Sequence, residues 1–188
     1  MADEIVWTTA DGAEAANIAL RVTELRKLLH GKNHERRCCV IFDVDHTLIV
    51  HREPTGEFAA HPVGKRIYTW AVSQEIDIIL VTARRKSEDA RDYLQRQLRA
   101  ADYDTSFVTA VYMLPSEYED DDDGGARFKR NTREIITKTH CVVCNCGDRW
   151  GDVSSNDEPE DVDLAGLYAG IFPSEKNVLH CLKFPEED

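Results

Sequence analysis

The chain has 188 residues, 42% of them hydrophobic, and its 23 Lys and Arg against 35 Asp and Glu give a formal net charge of −12. This length suits one domain with a continuous core, and the apolar fraction is too high for a disordered chain. The acidic balance disfavours nucleic acid and anionic membranes as partners, because both attract basic surfaces. No stretch of about 18 apolar residues and no secretory leader is found, so we expect a soluble, cytoplasmic protein.

Predicted helices and strands alternate along the chain. The first helix covers Glu14–Leu29, where apolar residues recur on one helical face. The following elements are strand Cys38–Phe42, helix Pro62–Gln74, strand Ile76–Thr82, a helix capped by Ser87 and ending near Ala101, strand Ala110–Leu114, helix Arg127–Thr139, strand Cys141–Cys146 and a weaker strand at Tyr168–Phe172. Unbroken apolar strands between helices predict an α/β fold with a doubly wound, mostly parallel five-stranded sheet.

The negative charge is unevenly distributed. Glu117–Asp123 holds six acids, Asp157–Asp163 five and Glu186–Asp188 three, with no Lys or Arg among them. The remaining chain therefore has 21 acids against 23 bases, a net charge of +2. The acidity belongs to loops and a tail, and it leaves an exposed phosphate group possible as a substrate.

Polar side chains follow the predicted strands at the edge where an open parallel sheet binds ligands. Asp43 and Asp45 follow the first strand, Thr82 ends the second, and Asp148 and Asp152 follow the fourth. Carboxylates brought together in this way repel one another without a cation, and hard oxygen ligands select Mg²⁺. The sequence therefore predicts a magnesium site that leaves room for a substrate phosphate.

The two aspartates of the Asp43-x-Asp45 pair can divide the chemistry of phosphoryl transfer. One carboxylate can attack phosphorus and form an aspartyl-phosphate. A second carboxyl group can protonate the leaving oxygen and then activate water. The charge of the transferring group needs a metal and fixed donors, which Thr82, Lys129 and backbone amides can supply.

This ordered set resembles the haloacid dehalogenase superfamily over about residues 38–172. Its signature Asp-x-Asp-x-Thr is Asp43–Thr47, its second-motif hydroxyl is Thr82, and a lysine precedes the Gly-Asp-x-x-x-Asp pattern of Gly147–Asp152. A narrower resemblance, carried by FDVDHTLI, VTARR, FKRNTREI and VVCNCGDRWGDV, is to class B-type acid phosphatases and plant vegetative storage proteins.

The resemblance implies a role for each matching residue. Asp43 would be the nucleophile and a metal ligand, and Asp45 would be the acid/base with its backbone carbonyl on Mg²⁺. Asp148 would bind the metal directly, and Asp152 directly or through water. Thr82, Ala83 and Lys129 would bind the phosphoryl oxygens. Lys138 competes for the lysine role, but it lies near the end of its helix, and we prefer Lys129.

The length predicts one domain over 1–188, with an N-terminal helical extension (1–35), a catalytic core (36–175) and a tail (176–188). Only 38 residues separate Asp43 from Thr82, too few for a full cap domain, so loops such as Val50–Ala60 would cover the site. An open site admits a phosphorylated small molecule, a nucleotide or an exposed phosphoprotein. Two alternatives remain open: a phosphotransferase with the same intermediate, and a non-catalytic storage or binding homologue.

Several other residues have competing interpretations. Cys141, Cys144 and Cys146 invite a zinc site, but zinc knuckles need a turn between ligands, and these cysteines lie on a predicted buried strand. We therefore favour buried thiols. The basic run Arg84–Lys86 either attracts an anionic substrate or begins a solvated helix. His46 lies at the rim of the site or fills space, and Trp150 more often packs than stacks on a substrate ring.

Overall fold

A computed structural model describes residues 6–9, 37–52, 56–118, 123–153, 167–171 and 180–184. The predicted helix Glu14–Leu29 lies outside these residues, as do most of the proposed N-terminal extension and C-terminal tail. No helix in the described part of the chain is long and apolar enough to cross a membrane.

The described residues form a seven-stranded sheet and a separate hairpin. The sheet contains β1 (Val6–Thr9), β2 (Arg37–Phe42), β5 (Asp77–Arg85), β6 (Val108–Leu114), β7 (His140–Gly147), β8 (Leu167–Ile171) and β9 (His180–Phe184), and the hairpin contains β3 (Ile49–Arg52) and β4 (Glu57–Ala60). The strand order in the sheet is β1-β9-β8-β7-β2-β5-β6. The α/β class is confirmed, and the sheet has seven strands rather than the five predicted.

The four strands β7, β2, β5 and β6 are parallel neighbours and form the part of the sheet that carries the predicted motifs. Val40 in β2 pairs with Ile78 of β5 on one side and Cys144 of β7 on the other. All three residues are buried, as expected for strands covered on both faces. Strand β8 runs antiparallel to β7, pairing Gly170 with Asn145, so the parallel order ends there.

Alternate residues of the central strands point into two separate cores. Val40 and Phe42 belong to one hydrophobic cluster, and Cys39 and Ile41 belong to the other. The described helices are α1 (Pro62–Ser73), α2 (Ala90–Ala100), α3 (Gly124–Thr137) and the short α4 (Trp150–Val153). Helices α1 and α2 supply buried residues to the first core, and α3 supplies Phe128 and Ile136 to the second.

Two predicted helix starts differ from the structure. Ser87 is not the cap of α2, because β5 continues to Arg85, beyond the predicted end at Thr82, and Ser87 lies in the exit from the strand. Asp89 is the N-terminal flanking residue, and its side chain makes no capping hydrogen bond. Helix α3 begins at Gly124, three residues before the predicted start at Arg127.

The segment between Asp43 and Thr82 contains the β3–β4 hairpin and α1. The hairpin pairs Ile49 with Ala60 in antiparallel register, and it overlaps the predicted loop Val50–Ala60. Helix α1 packs closely on the chain before the hairpin: a Cβ on Gly64 would lie 2.0 Å from the carbonyl oxygen of Thr47. Among the described residues of this segment there is no cap domain.

Candidate active site

The site lies where β2 and β7 end side by side. Phe42 pairs with Cys146, and the Asp43 amide donates to the Cys146 carbonyl oxygen at 2.9 Å, extending the ladder by one residue. Asp43 therefore lies level with the end of β7, just before Asp148. The parallel arrangement thus brings together residues that are far apart in sequence, as predicted.

A buried lysine joins two buried carboxylates at this edge. Lys129 Nζ donates to Asp43 Oδ1 at 2.7 Å and to Asp152 Oδ1 at 2.5 Å. The side chains of Asp43 and Asp152 are 5% and 3% exposed. Lys138, the competing lysine, is exposed at the end of α3. The structure thus places Lys129, and not Lys138, at the carboxylates.

A third carboxylate completes an acidic group that is suited to a metal ion. Asp43, Asp148 and Asp152 can each offer an oxygen atom, and these atoms lie within 4.8 Å of one another. Oxygen donors from carboxylates are the hard ligands that Mg²⁺ prefers. The residues present therefore fit the predicted cation. The described residues contain no comparable group of cysteines or histidines.

Burial and mutual repulsion make the ionised form of the carboxylates in this acidic group unfavourable. Burial, and then the carboxylate of Asp152, raise the pKa of Asp43, although Lys129 opposes the rise. Burial and Asp152 also raise the pKa of Asp148. For Lys129, burial lowers the pKa, but Asp43 and Asp152 outweigh it and the net shift is upward. A divalent cation would favour the ionised carboxylates, because its charge offsets both repulsion and desolvation.

Gly147 is the residue that lets Asp152 fold back over the strand end. A Cβ on Gly147 would lie 2.0 Å from the Asp152 Cβ, which no side chain can accept. The Arg149 amide donates to Asp152 Oδ2 at 3.0 Å, and the buried Arg133 guanidinium donates to the Gly151 carbonyl at 2.7 Å. The Gly-Asp-x-x-x-Asp spacing is thus a compact turn that fixes one carboxylate.

The Asp45 side chain lies apart from this acidic group and pairs with Arg84. Arg84 donates from Nε to Asp45 Oδ2 at 2.8 Å and from a terminal nitrogen to Oδ1 at 2.6 Å, and it also hydrogen-bonds the buried Gln97. Burial raises the pKa of Asp45, but the hydrogen bonds and charge of Arg84 outweigh it, so the pKa is lowered. Asp45 is therefore a carboxylate in this arrangement.

Strand β5 supplies a buried hydroxyl beside the Asp45–Arg84 pair. Thr82 is 1% exposed, and its Oγ1 accepts a hydrogen bond from the Arg84 amide at 3.2 Å. Ala83, between them, is exposed. Thr47 is fully buried, and within the described part of the chain its Oγ1 has no hydrogen-bond partner. The exposed His46 occupies a turn with φ of 58°, so it is a turn residue at the rim.

Sequence reasoning missed the specific role of Arg84. The basic run Arg84–Lys86 is evident in the sequence, but nothing in its order shows which residue turns toward Asp45. The signal available was position: Arg84 lies two residues beyond Thr82, at the end of β5, where the pairing register with β6 is irregular.

Of the described cysteines, Cys39, Cys144 and Cys146 are buried, and Cys38 and Cys141 are partly exposed. Cys38, Cys39, Cys141, Cys144 and Cys146 are all free thiols. Cys144 and Cys146 are buried, with sulfur atoms 3.6 Å apart on one face of β7. Burial raises the pKa of both Cys39 and Cys146, which makes them poor metal ligands and poor nucleophiles.

Among the comparisons with known proteins, only the comparison of structures finds proteins similar to this chain. No protein-family model matches it, and no curated protein matches it. It is similar to the solved structure of the class C acid phosphatase from Bacillus anthracis and to that enzyme with tungstate bound. In each comparison the identity is 15%, the TM-score is 0.55, and the match covers 75% of this chain and 64% of the other.

At this identity the likeness shows the fold. The chain shares with these acid phosphatases an α/β fold whose parallel four-stranded core is flanked by helices. It spans 64% of their length. This agrees with the haloacid dehalogenase-like fold expected from the motifs, and it does not select the narrower class B-type group.

Proposed function

We propose that this protein is a Mg²⁺-dependent phosphatase that hydrolyses phosphomonoesters through a phosphoaspartate on Asp43. The observation that carries the proposal is the buried Asp43 carboxylate, held 2.7 Å from the Lys129 ammonium and within 4.8 Å of oxygen atoms of Asp148 and Asp152. With Lys129 and a bound Mg²⁺ offsetting the negative charge of the group, the Asp43 carboxylate would be able to approach an anionic phosphate. The fold shared with acid phosphatases supports the same reaction class.

The first chemical step would be attack of an Asp43 oxygen on phosphorus. A bond forms between that oxygen and phosphorus, and the bond from phosphorus to the ester oxygen breaks. Lys129, the Thr82 hydroxyl and the Ala83 amide would bind the phosphoryl oxygens. Asp43, Asp148, Asp152 and the Asp45 backbone carbonyl would hold Mg²⁺, which supplies positive charge against the charge of the transferring group.

Asp45 would move the protons in both halves of the reaction. As a carboxylate paired with Arg84, it has the form that accepts a proton from the water attacking the phosphoaspartate. Protonation of the leaving oxygen needs its acid form instead. An incoming phosphate competes for the Arg84 guanidinium, and any loosening of the pair raises the proton affinity of Asp45.

The expected substrates are phosphorylated small molecules, nucleotides or exposed phosphoprotein sites. The motifs favour membership of the group that contains class B-type acid phosphatases and plant vegetative storage proteins. Some storage members lack the nucleophilic aspartate, but this chain retains Asp43. Catalysis is therefore favoured over storage.

The test is turnover of 4-nitrophenyl phosphate by the unmodified chain and by Asp43→Asn, each with Mg²⁺ and with EDTA. Turnover that needs Mg²⁺ and is abolished in a folded Asp43→Asn variant supports the proposal. Normal turnover by Asp43→Asn contradicts the mechanism. Phosphate binding without turnover indicates a storage or binding protein, and a new phosphoester formed with an added nucleoside indicates a phosphotransferase.

A further inference from the structure

Helix α3 contacts the turn Gly147–Asp152 with two buried cations from one of its faces. Lys129 Nζ donates to a carboxylate oxygen of Asp152 at 2.5 Å. Arg133, four residues later and therefore on the same face, donates from a terminal nitrogen to the Gly151 carbonyl oxygen at 2.7 Å. The lysine binds a side chain of the turn and the arginine binds its backbone. The proposed chemistry gives a role to Lys129 but none to Arg133.

Arg133 is buried to an extent that is unusual for a guanidinium group. The residue is 7% exposed, and arginine is seldom buried so far without polar or charged contacts. Burial lowers the pKa of Arg133 to about 10, and the carboxylate of Asp152 opposes this shift. Arg133 is therefore a cation at neutral pH, and its charge as well as its hydrogen bond acts at the turn.

The Gly151 carbonyl is a point at which the position of Asp152 can be controlled, because the two residues are adjacent. Inside the turn, the Asp152 amide donates to the Arg149 carbonyl oxygen at 3.0 Å, and the Arg149 amide donates to Asp152 Oδ2 at 3.0 Å. These two hydrogen bonds join residues of the turn to each other. The Arg133 hydrogen bond joins the turn to α3, where Gly151 also lies so close that its Cβ would be 3.0 Å from the Ala126 Cβ.

We infer that Arg133 is a positioning residue of the metal site. By binding the Gly151 carbonyl, it keeps Asp152 where oxygen atoms of Asp43, Asp148 and Asp152 lie within 4.8 Å of one another. The inference rests on the proposed function, which takes this acidic group as the Mg²⁺ site. Arg133 acts through Asp152 and not as a ligand, in the way that residues around a metal site orient the ligands themselves.

Calorimetric titration with Mg²⁺ separates the position of the turn from the charge of the arginine. Removal of a cation near a metal site should by itself strengthen Mg²⁺ binding, because repulsion is reduced. Loss of a contact that orients a ligand has the opposite sign, and we expect Arg133→Met to bind Mg²⁺ about tenfold more weakly. Arg133→Lys keeps the charge and a donor, so its affinity should be intermediate. Arg130→Met removes a neighbouring cation of the same helix, and its Mg²⁺ affinity should be unchanged or slightly higher.

Hydrogen exchange in the metal-free protein gives a second measurement. The Arg149 amide, which donates to Asp152 Oδ2, should exchange about tenfold faster in Arg133→Met, because the turn loses a charge-assisted hydrogen bond. The Asp43 amide, which donates to the Cys146 carbonyl oxygen, should change far less. A purely structural role of Arg133 would instead accelerate the exchange of both amides alike.

Unchanged or tighter Mg²⁺ binding in Arg133→Met overturns the inference, and so does an equal weakening in Arg130→Met. If Arg133→Met does not fold, Arg133→Lys is tested in its place, and failure of both to fold in Mg²⁺ also overturns the inference. Turnover of 4-nitrophenyl phosphate by the unmodified chain separates this result from the proposed function. Turnover with unchanged Mg²⁺ affinity in Arg133→Met contradicts only the role of Arg133; weakened Mg²⁺ binding in that variant, with no turnover by the unmodified chain, contradicts only the phosphatase.

Discussion

The Lys129 ammonium lies 2.7 Å from Oδ1 of Asp43, a residue 86 positions earlier in the chain. Both side chains are buried, and the same ammonium also binds Asp152 at 2.5 Å. One cation therefore lies between two carboxylates that would otherwise repel each other in a medium of low polarity. This contact ties α3 to the ends of β2 and β7, so we expect folding and chemistry to depend on it together.

Replacing Lys129 with Met should destabilise the metal-free protein. The change leaves two buried carboxylates without their partner, and breaking a buried ion pair costs about 3–5 kcal/mol. Urea denaturation should show this loss, with part of it restored by Mg²⁺. Lys138→Met, at the exposed end of the same helix, should change stability by less than about 0.5 kcal/mol. Equal stability of the two variants contradicts the buried contact.

A methyl group at Gly147 should displace Asp152. Gly147→Ala places a Cβ 2.0 Å from the Asp152 Cβ, and overpacking of this kind costs about 1–3 kcal/mol. Calorimetric titration should show weaker Mg²⁺ binding, because one carboxylate has moved. Gly125→Ala is the matched control, since its Cβ would meet Ala83 at an ordinary 3.5 Å. Unchanged Mg²⁺ affinity in Gly147→Ala would indicate that Asp152 is not a ligand of the metal.

The loss of hydrolysis rate caused by Asp45→Asn should depend on the leaving group of the substrate. General acid–base catalysis contributes about 10²–10⁴ in rate, and a poor leaving group such as an alkoxide depends most on a proton. Hydrolysis of an alkyl phosphate should therefore fall much further than hydrolysis of 4-nitrophenyl phosphate. Initial rates for both esters measure the difference. The same fractional loss for both would indicate that Asp45 has no part in protonating the leaving oxygen.

Much of the site could be predicted because it follows from the parallel sheet. The apolar run Cys38–Phe42 indicates a buried strand, and such strands end at a common edge, where Asp43, Asp148 and Asp152 meet. The place of Lys129 in the helix favours it over Lys138, and the structure puts the Lys129 ammonium at that edge. Chain order and strand direction were sufficient for these residues.

The remaining features depend on side-chain conformation and on how chain segments leave the sheet. The Arg84–Asp45 pair depends on one conformation of the Arg84 side chain, which the spacing of residues in the sequence does not specify. Ser87 does not cap the helix because β5 continues through Ala83, Arg84 and Arg85, and the two arginines hide the strand conformation of this segment. Strands β1 and β9 pair although they lie near opposite ends of the sequence, and no local sequence pattern indicates so distant a pairing partner.

Mass spectrometry of the protein during turnover tests the central claim most directly. The chain, or Asp45→Asn to slow the second step, is mixed with Mg²⁺ and 4-nitrophenyl phosphate, quenched in acid and digested. We predict one phosphoryl group on the peptide that contains Asp43, and its absence in Asp43→Asn. Release of 4-nitrophenol with no phosphoryl group on Asp43, or with one on another residue, would contradict the account.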